Sequence, residues 1–391
     1  MSIRECAMNS EAFRRLYEVY KNRETVSDAF RKNGGKVVGQ MGCDVPDELV
    51  IAAGMMPVRL YADEYRPLVQ ADKYLEYSFD PVMRAQFEKV VDGTYNDRID
   101  YLAISNSTDV IIRLYLYLRE IKRLDPAAPI PPLEFIDWLF TRKMIHQSRN
   151  ELTVRLFWRK LEEWSGRTIT DNDVQSAAAI CNEDRAALRR ISALRKADEV
   201  KVSGSEALVI IGSAFFMDRR EHANLVNLVA DDAQSWPGID AARIFMTGSA
   251  QESTELYELI EKVGGVVIGE DHDWGDRFFG RDCNTSYSPV RAIVDAYMMR
   301  EFSSKKATVS QRVKALNDAV DSARAEGVLF YINAYEEAAS WDFPSQKSSL
   351  ESRGIATGSF VKMLFPLSEN RDLEEKLGSF VESVRRVRRD A

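Results

Sequence analysis

The residue best placed to do chemistry is Cys43. It follows the strand-length run Val37-Val38-Gly39-Gln40-Met41 and precedes Pro46-Asp47-Glu48, which open a short apolar helix. Gly54 stops that helix before a second strand-like run, Pro57 to Tyr61. Proline lacks an N–H that the first helical turn does not need, and Asp47 and Glu48 favour the positive end of the helix dipole. A thiol just ahead of such a helix has its thiolate stabilised, the state needed by a nucleophile or a metal ligand. A small buried residue at a tight turn is the other reading of Cys43.

Carboxylates supply the next candidates. Glu336 stands beside Glu337 at the end of an apolar run from Gly327, and a like-charged neighbour raises one carboxyl pKa, so a buried Glu336 reads as a general base. Glu270-Asp271-His272-Asp273 ends another such run and reads as a solvated acidic tip before it reads as a metal or acid/base cluster. Arg277 and Arg281 enclose Phe278 and Phe279, a pattern suited to phosphates or to a subunit interface. His146, His222 and His272 are too scattered for a histidine metal site and read as polar surface. Cys6, Cys43, Cys181 and Cys283 show neither C-x-x-C spacing nor a disulfide framework, so reduced thiols are expected.

The elements that must hold these residues alternate. A helix is predicted over Glu11 to Arg31, stopped by Asn33-Gly34-Gly35. Pro67 to Asp80 reads as irregular, Pro81 to Val91 as a helix, and Arg98 to Ser105 as a strand ending in the polar turn Ser105-Asn106-Ser107-Thr108-Asp109. Val110 to Ile121 is the next helix and Leu133 to Trp138 the next strand. From Ser148 to about Lys201 the chain is helical, broken where Ser165-Gly166-Arg167 ends one helix and Thr170 or Asp171 caps the next. Leu208 to Phe216 fits a strand or a helix equally. Strands then follow at Ala242 to Ser249, Gly265 to Asp271 and Gly327 to Glu336. Helices follow at Ser253 to Val263, Pro289 to Phe302, Val309 to Glu326, a helix ending at Gly354, and Asn370 to Val387 with the basic end Arg385 to Arg389.

This is an α/β pattern of two Rossmann-like or flavodoxin-like lobes with parallel sheets: an N-terminal helix and first lobe in 1–147, a helical connector in 148–203, and a second lobe in 204–391. Ligands of open parallel sheets gather at the carboxyl ends of strands, where Cys43, Ser105 to Asp109, Gly248, Asp271 and Glu336 all fall.

Composition narrows the classes. A chain of 391 residues allows two or three domains, and 45% hydrophobic with 29% charged residues is ordinary for a globular protein. A net charge of -8 and a pI near 5.3 argue against a nucleic-acid surface. No apolar run is long enough to span a membrane, and Met1 to Cys6 leads into charged helical sequence instead of a signal peptide, so a cytoplasmic protein is expected. With neither G-x-G-x-x-G nor G-x-x-x-x-G-K-[ST], no nucleotide site is expected in this chain.

Cys43, Pro46, Glu48, Ala52-Ala53-Gly54-Met55 and Pro57 together resemble the entry motif of the subunits of 2-hydroxyacyl-CoA dehydratases and benzoyl-CoA reductases. The resemblance runs from about Lys36 to Val384, strongest around Cys43 and weaker at Ser165, at Gly327 to Pro344 and in the C-terminal helix. It implies an acyl-CoA substrate, radical chemistry driven by an injected electron, a related partner subunit and a separate ATP-dependent activator. It also implies a [4Fe–4S] cluster held by cysteines from three strand ends. Cys43 carries over as such a ligand, but Thr108 and Glu336 stand where the other two cysteines belong. Oxygen donors suit such a cluster poorly, so the resemblance assigns the cluster to the partner and leaves this chain as the cluster-poor half. Cys283 with Cys43 and Glu336 is the one rescue the sequence offers. Glu336, Ser107 and Thr108 are thus the catalytic candidates, Arg277 and Asp271 the substrate-binding ones (Arg277 for CoA phosphates), and Cys43 the metal ligand. A non-catalytic acyl-CoA-binding subunit and a redox-independent acyl-CoA enzyme with Glu336 as base are the alternatives.

Overall fold

Runs such as Val37-Val38, Val266-Val267-Ile268 and Val328-Leu329-Phe330 are apolar at successive positions, so they suit a sheet covered on both faces. They form two such sheets in the structure, a computed structural model that describes residues 3–63, 65–300 and 303–390, the last four by backbone alone. The first lobe holds β1 (Val37–Met41), β2 (Met56–Arg59), β3 (Tyr101–Ser105) and β4 (Leu133–Ile136) in the order β2-β1-β3-β4. The second holds β5 (Ala242–Gly248), β6 (Gly265–Asp271), β7 (Gly327–Asn333) and β8 (Ala356–Met363) in the order β6-β5-β7-β8. Every pairing is parallel, and the two orders are the same when each lobe is counted from its own first strand. The order therefore reverses between β1 and β3 in one lobe and between β5 and β7 in the other, and ligand crevices belong at those points.

The connector is two long helices, Met144–Ser165 and Asp171–Lys196. Gly166 adopts φ 73° to end the first, and Thr170, not Asp171, caps the second in a reciprocal capping box with Asp173. The two halves also exchange helices. Glu11–Lys21 buries Phe13, Leu16, Val19 and Tyr20 and packs on Gly204–Ser213 and Arg219–Ala233. Conversely, Pro289–Met299 packs on Met144–Ser165, in a core shared with Val38, Ala103 and Trp138 of the first lobe.

Several local expectations shift. The N-terminal helix is three pieces, Glu5–Asn9, Glu11–Lys21 and Thr25–Lys32. The stretch read as irregular contains the helix Val69–Tyr74. The open segment at Leu208 is the fully buried helix Gly204–Ser213, begun by a Ser203–Glu206 capping box and followed by a 3-10 turn to Phe216. Strand β8 was unrecognised, because Ala356-Thr357-Gly358-Ser359 carries few apolar side chains and owes its conformation to pairing with β7. Of the segments read from sequence, Phe302 and the side chains of the basic end from Val387 onward lie outside the described residues. Among the described residues no helix is long and apolar enough to cross a membrane.

Candidate active-site cleft

The carboxyl ends of the two sheets meet around a cavity of about 450 Å³, within the usual size of a small-molecule site. Cys43, Ser107, Thr108, Asp271, Arg277 and Glu336 all line it. Residues some 290 positions apart in the chain thus share one site, because each lobe turns its switch point toward the other.

In the first lobe the turn after β1 needs Gly42. Its φ is 91°, and a Cβ there would lie 2.5 Å from Ser105 Oγ and 2.9 Å from Ser107 Oγ. That close approach lets the Cys43 N–H donate to Ser107 Oγ at 3.1 Å, while the Cys43 thiol, half-buried, donates to Asp44 Oδ2 at 3.6 Å. Asp44 is 1% exposed and anchors the turn. It accepts from Ser107 Oγ at 3.0 Å and Lys306 Nζ at 2.7 Å, and pairs with Arg300, which also donates to the Cys43 carbonyl. Thr108 Oγ1 is engaged as the N-cap of the helix Asp109–Leu124, accepting from Ile111 N at 3.3 Å.

The matching turn of the second lobe uses Gly248 at φ 119°, where a Cβ would meet the Tyr331 carbonyl oxygen at 2.2 Å. Ser249 Oγ accepts from Asn333 N at 2.9 Å and ties the end of β5 to that of β7. Tyr335 is left-handed at φ 68°, and Glu336 follows it at the N-terminus of the helix Glu337–Glu351.

Three expectations about polar and charged groups change here. The acidic stretch is not a solvated tip. Glu270 is buried against Arg195 at 2.6 Å, Asp271 pairs with Arg277 at 2.5 Å, and Asp273 lies 3.5 Å from Arg59. His272 and His222 are buried rather than surface: His272 Nε2 meets the Tyr257 hydroxyl at 3.0 Å, and His222 pairs with Asp184. Desolvation holds His272 below its usual pKa, so it is neutral at pH 7. The neighbour that acts on Glu336 is Asp80 and not Glu337; burial and the Asp80 carboxyl push Glu336 up to about 8. Arg281, paired with Asp295 at 2.6 Å, is not among the residues lining the cavity.

Sequence reasoning missed Asp80 and Arg59 in this cleft and put His272 on the surface. Asp80 carried a readable signal as the cap ahead of Pro81, but a helix cap announces no chemistry.

The donor set does not suit a four-iron cluster. Cys43 offers one sulfur, the Thr108 hydroxyl is used as a cap, and Glu336 offers only carboxyl oxygens. Cys283 is not brought to the cleft: it is 1% exposed, its thiol 3.4 Å from Glu48. Among the described residues no three His, Cys, Asp or Glu side chains gather as a metal site.

A family described as 2-hydroxyglutaryl-CoA dehydratase, D-component, matches residues 43–384, beginning at Cys43 itself. The chain belongs to this family. Its similar proteins include the (R)-phenyllactyl-CoA dehydratase beta subunit of Clostridium sporogenes, 22% identical over 83% of this chain and 85% of that one. The lactoyl-CoA dehydratase subunit beta of Anaerotignum propionicum is 21% identical over 94% and 97%, and a benzoyl-CoA reductase subunit of Thauera aromatica is 22% identical over 90% and 91%. These relatives of the D-component family are named as subunits, of dehydratases and of a reductase that act on CoA thioesters.

Proposed function

We propose that this chain is the cluster-free subunit of a cytoplasmic 2-hydroxyacyl-CoA dehydratase or benzoyl-CoA reductase-type complex. A related subunit bears the [4Fe–4S] cluster, an ATP-dependent activator supplies the electron, and this chain closes the acyl-CoA pocket. The observation that carries the reading is a substrate-sized cleft at both switch points that is lined, among the described residues, by a single cysteine, Cys43. In this reading Arg277, paired with Asp271, meets the anionic part of the thioester; the reading is supported by Arg277, Ser107, Thr108 and Cys43 all lining the one cavity.

The test is anaerobic purification of this chain, alone and with a co-encoded relative, followed by iron and sulfide counting and low-temperature electron paramagnetic resonance. Iron is expected only when the partner is present. About four irons per copy of this chain alone would overturn the cluster-free assignment. No iron in either preparation would overturn the radical reading and favour redox-independent chemistry on the same thioester.

A further inference from the structure

The two walls of the cleft differ in how their neutral polar groups are engaged. On the first lobe Ser107 Oγ accepts the Cys43 N–H and donates to Asp44, and Thr108 Oγ1 caps a helix. On the second lobe three such side chains have no such use. Thr247, Asn333 and Gln346 line the cavity at 4%, 6% and 7% exposure, and among the described residues none of these three side chains has a hydrogen-bond partner. Buried polar groups are nearly always paired, so three that open on one cavity mark where a ligand supplies the partners.

The sheet decides where they stand. Thr247 is in register with Phe330, and alternation along β7 brings Phe330 and Ile332 to the same face as Thr247. Gln346 comes to that face on the helix Glu337–Glu351, one turn on from Phe343, whose ring lies 5.1 Å from that of Phe330. Asn333 follows Ile332 in β7 and takes the other face. The three therefore flank the carboxyl ends of β5 and β7, at the switch point of the second lobe, and Phe330 and Ile332 line the same cavity as apolar surface.

A hydroxyl and two carboxamides each donate and accept, and none carries charge. A phosphate or carboxylate only accepts, and would leave the carboxamide oxygens facing it without donors. A secondary amide offers both an N–H and a C=O and matches the set. We propose that Thr247, Gln346 and Asn333 bind the amide-bearing pantetheine arm of an acyl-CoA, laid across the ends of β5 and β7. This rests on the acyl-CoA reading above. The arm carries two secondary amides joined by two methylenes: one amide is met by Thr247 and Gln346 on one face of the sheet end, the other by Asn333 on the opposite face, and the methylenes lie on Phe330 and Ile332. These side chains hold the arm and touch no reacting atom. They set the choice of an amide-bearing carrier over other thioesters.

The test is calorimetric titration of the full chain with its related subunit, using butyryl-CoA and an analogue in which esters replace both pantetheine amides and so remove the N–H donors. The amide ligand is expected to bind about tenfold tighter or more, the worth of one or two hydrogen bonds. Thr247→Val, Asn333→Leu and Gln346→Met keep the shape of each side chain without its polar atoms. Each should weaken butyryl-CoA binding about tenfold, and the triple variant should no longer tell the two ligands apart. The melting temperature of each ligand-free variant should be unchanged or higher, because an apolar isostere replaces a buried polar group that has no partner in the fold. Wild-type affinity for butyryl-CoA in all three single variants, or an amide preference that survives in the triple variant, would overturn the inference and leave the acyl-CoA reading intact. Lower melting temperatures in all three would show that these groups serve the fold and would overturn it too. Failure of both ligands to bind the wild-type assembly would overturn the acyl-CoA reading itself, and the inference with it.

Discussion

Glu48, the acidic residue of the Pro46-x-Glu48 signature, never reaches the cleft. It is fully buried beneath it, paired with Arg185 and accepting from the Tyr297 hydroxyl at 2.9 Å. Burial pushes its pKa up, but the Arg185 charge and hydrogen bond outweigh this and hold it down at about 2, against an ordinary 4.5. A carboxyl lowered in this way stabilises the fold above its unfolded pKa, and the contribution is lost as pH falls from about 4.5 through about 2. Glu48→Gln leaves the Arg185 charge buried without its partner and is expected to cost about 3–5 kcal/mol at pH 7. Urea titrations across the acid range should show the cost shrinking toward pH 2; an unchanged difference would mean that the pair is not the source. The motif at this residue marks the brace under Cys43 and not the chemistry.

At the scale of elements, the site depends on turns that start and stop helices. Thr108 shows how one position serves both purposes: its hydroxyl caps Asp109–Leu124 and the residue lines the wall of the cleft. The connector shows the same economy of local signals, with Gly166 and Thr170 placing two long helices around Ile169, which is buried. Thr170→Ala removes the acceptor for Asp173 N and the anchor for its carboxylate, and should lower stability by about 1 kcal/mol in chemical denaturation. Thr170→Ser keeps the hydroxyl and should restore most of it. A loss well beyond that range would assign Thr170 a role outside capping.

At the scale of the molecule, the lobes are interleaved. The helix Glu11–Lys21 belongs by sequence to the first half yet covers the second, and Tyr20 donates to the Glu252 carbonyl at 2.8 Å. Phe13, Leu16, Val19 and Tyr20 each contribute about 1.5–3 kcal/mol on burial, a large share of the 5–15 kcal/mol (roughly) that separates folded from unfolded chains. The intact chain is therefore expected to melt in one cooperative transition. Deletion of residues 1–23 should lower that single melting temperature, as seen by differential scanning calorimetry. A truncated chain with one unchanged transition and one lowered transition would show that the lobes unfold independently.

The sequence by itself determined the α/β alternation, most strand positions, the stop at Gly54, the caps of the connector and the family motif around Cys43. All of these are local: residue type, spacing and the backbone needs of glycine and proline are enough to set them. Strand β8 escaped because its side chains are weakly apolar and its partner β7 decides its conformation. The paired state of Glu270 and Asp273, the first of them buried, escaped because their partners Arg195 and Arg59 lie 75 or more residues away. Only the tertiary structure could bring Asp80 and Glu336 to one cleft, because they stand in different lobes and no sequence spacing encodes which strand ends face each other.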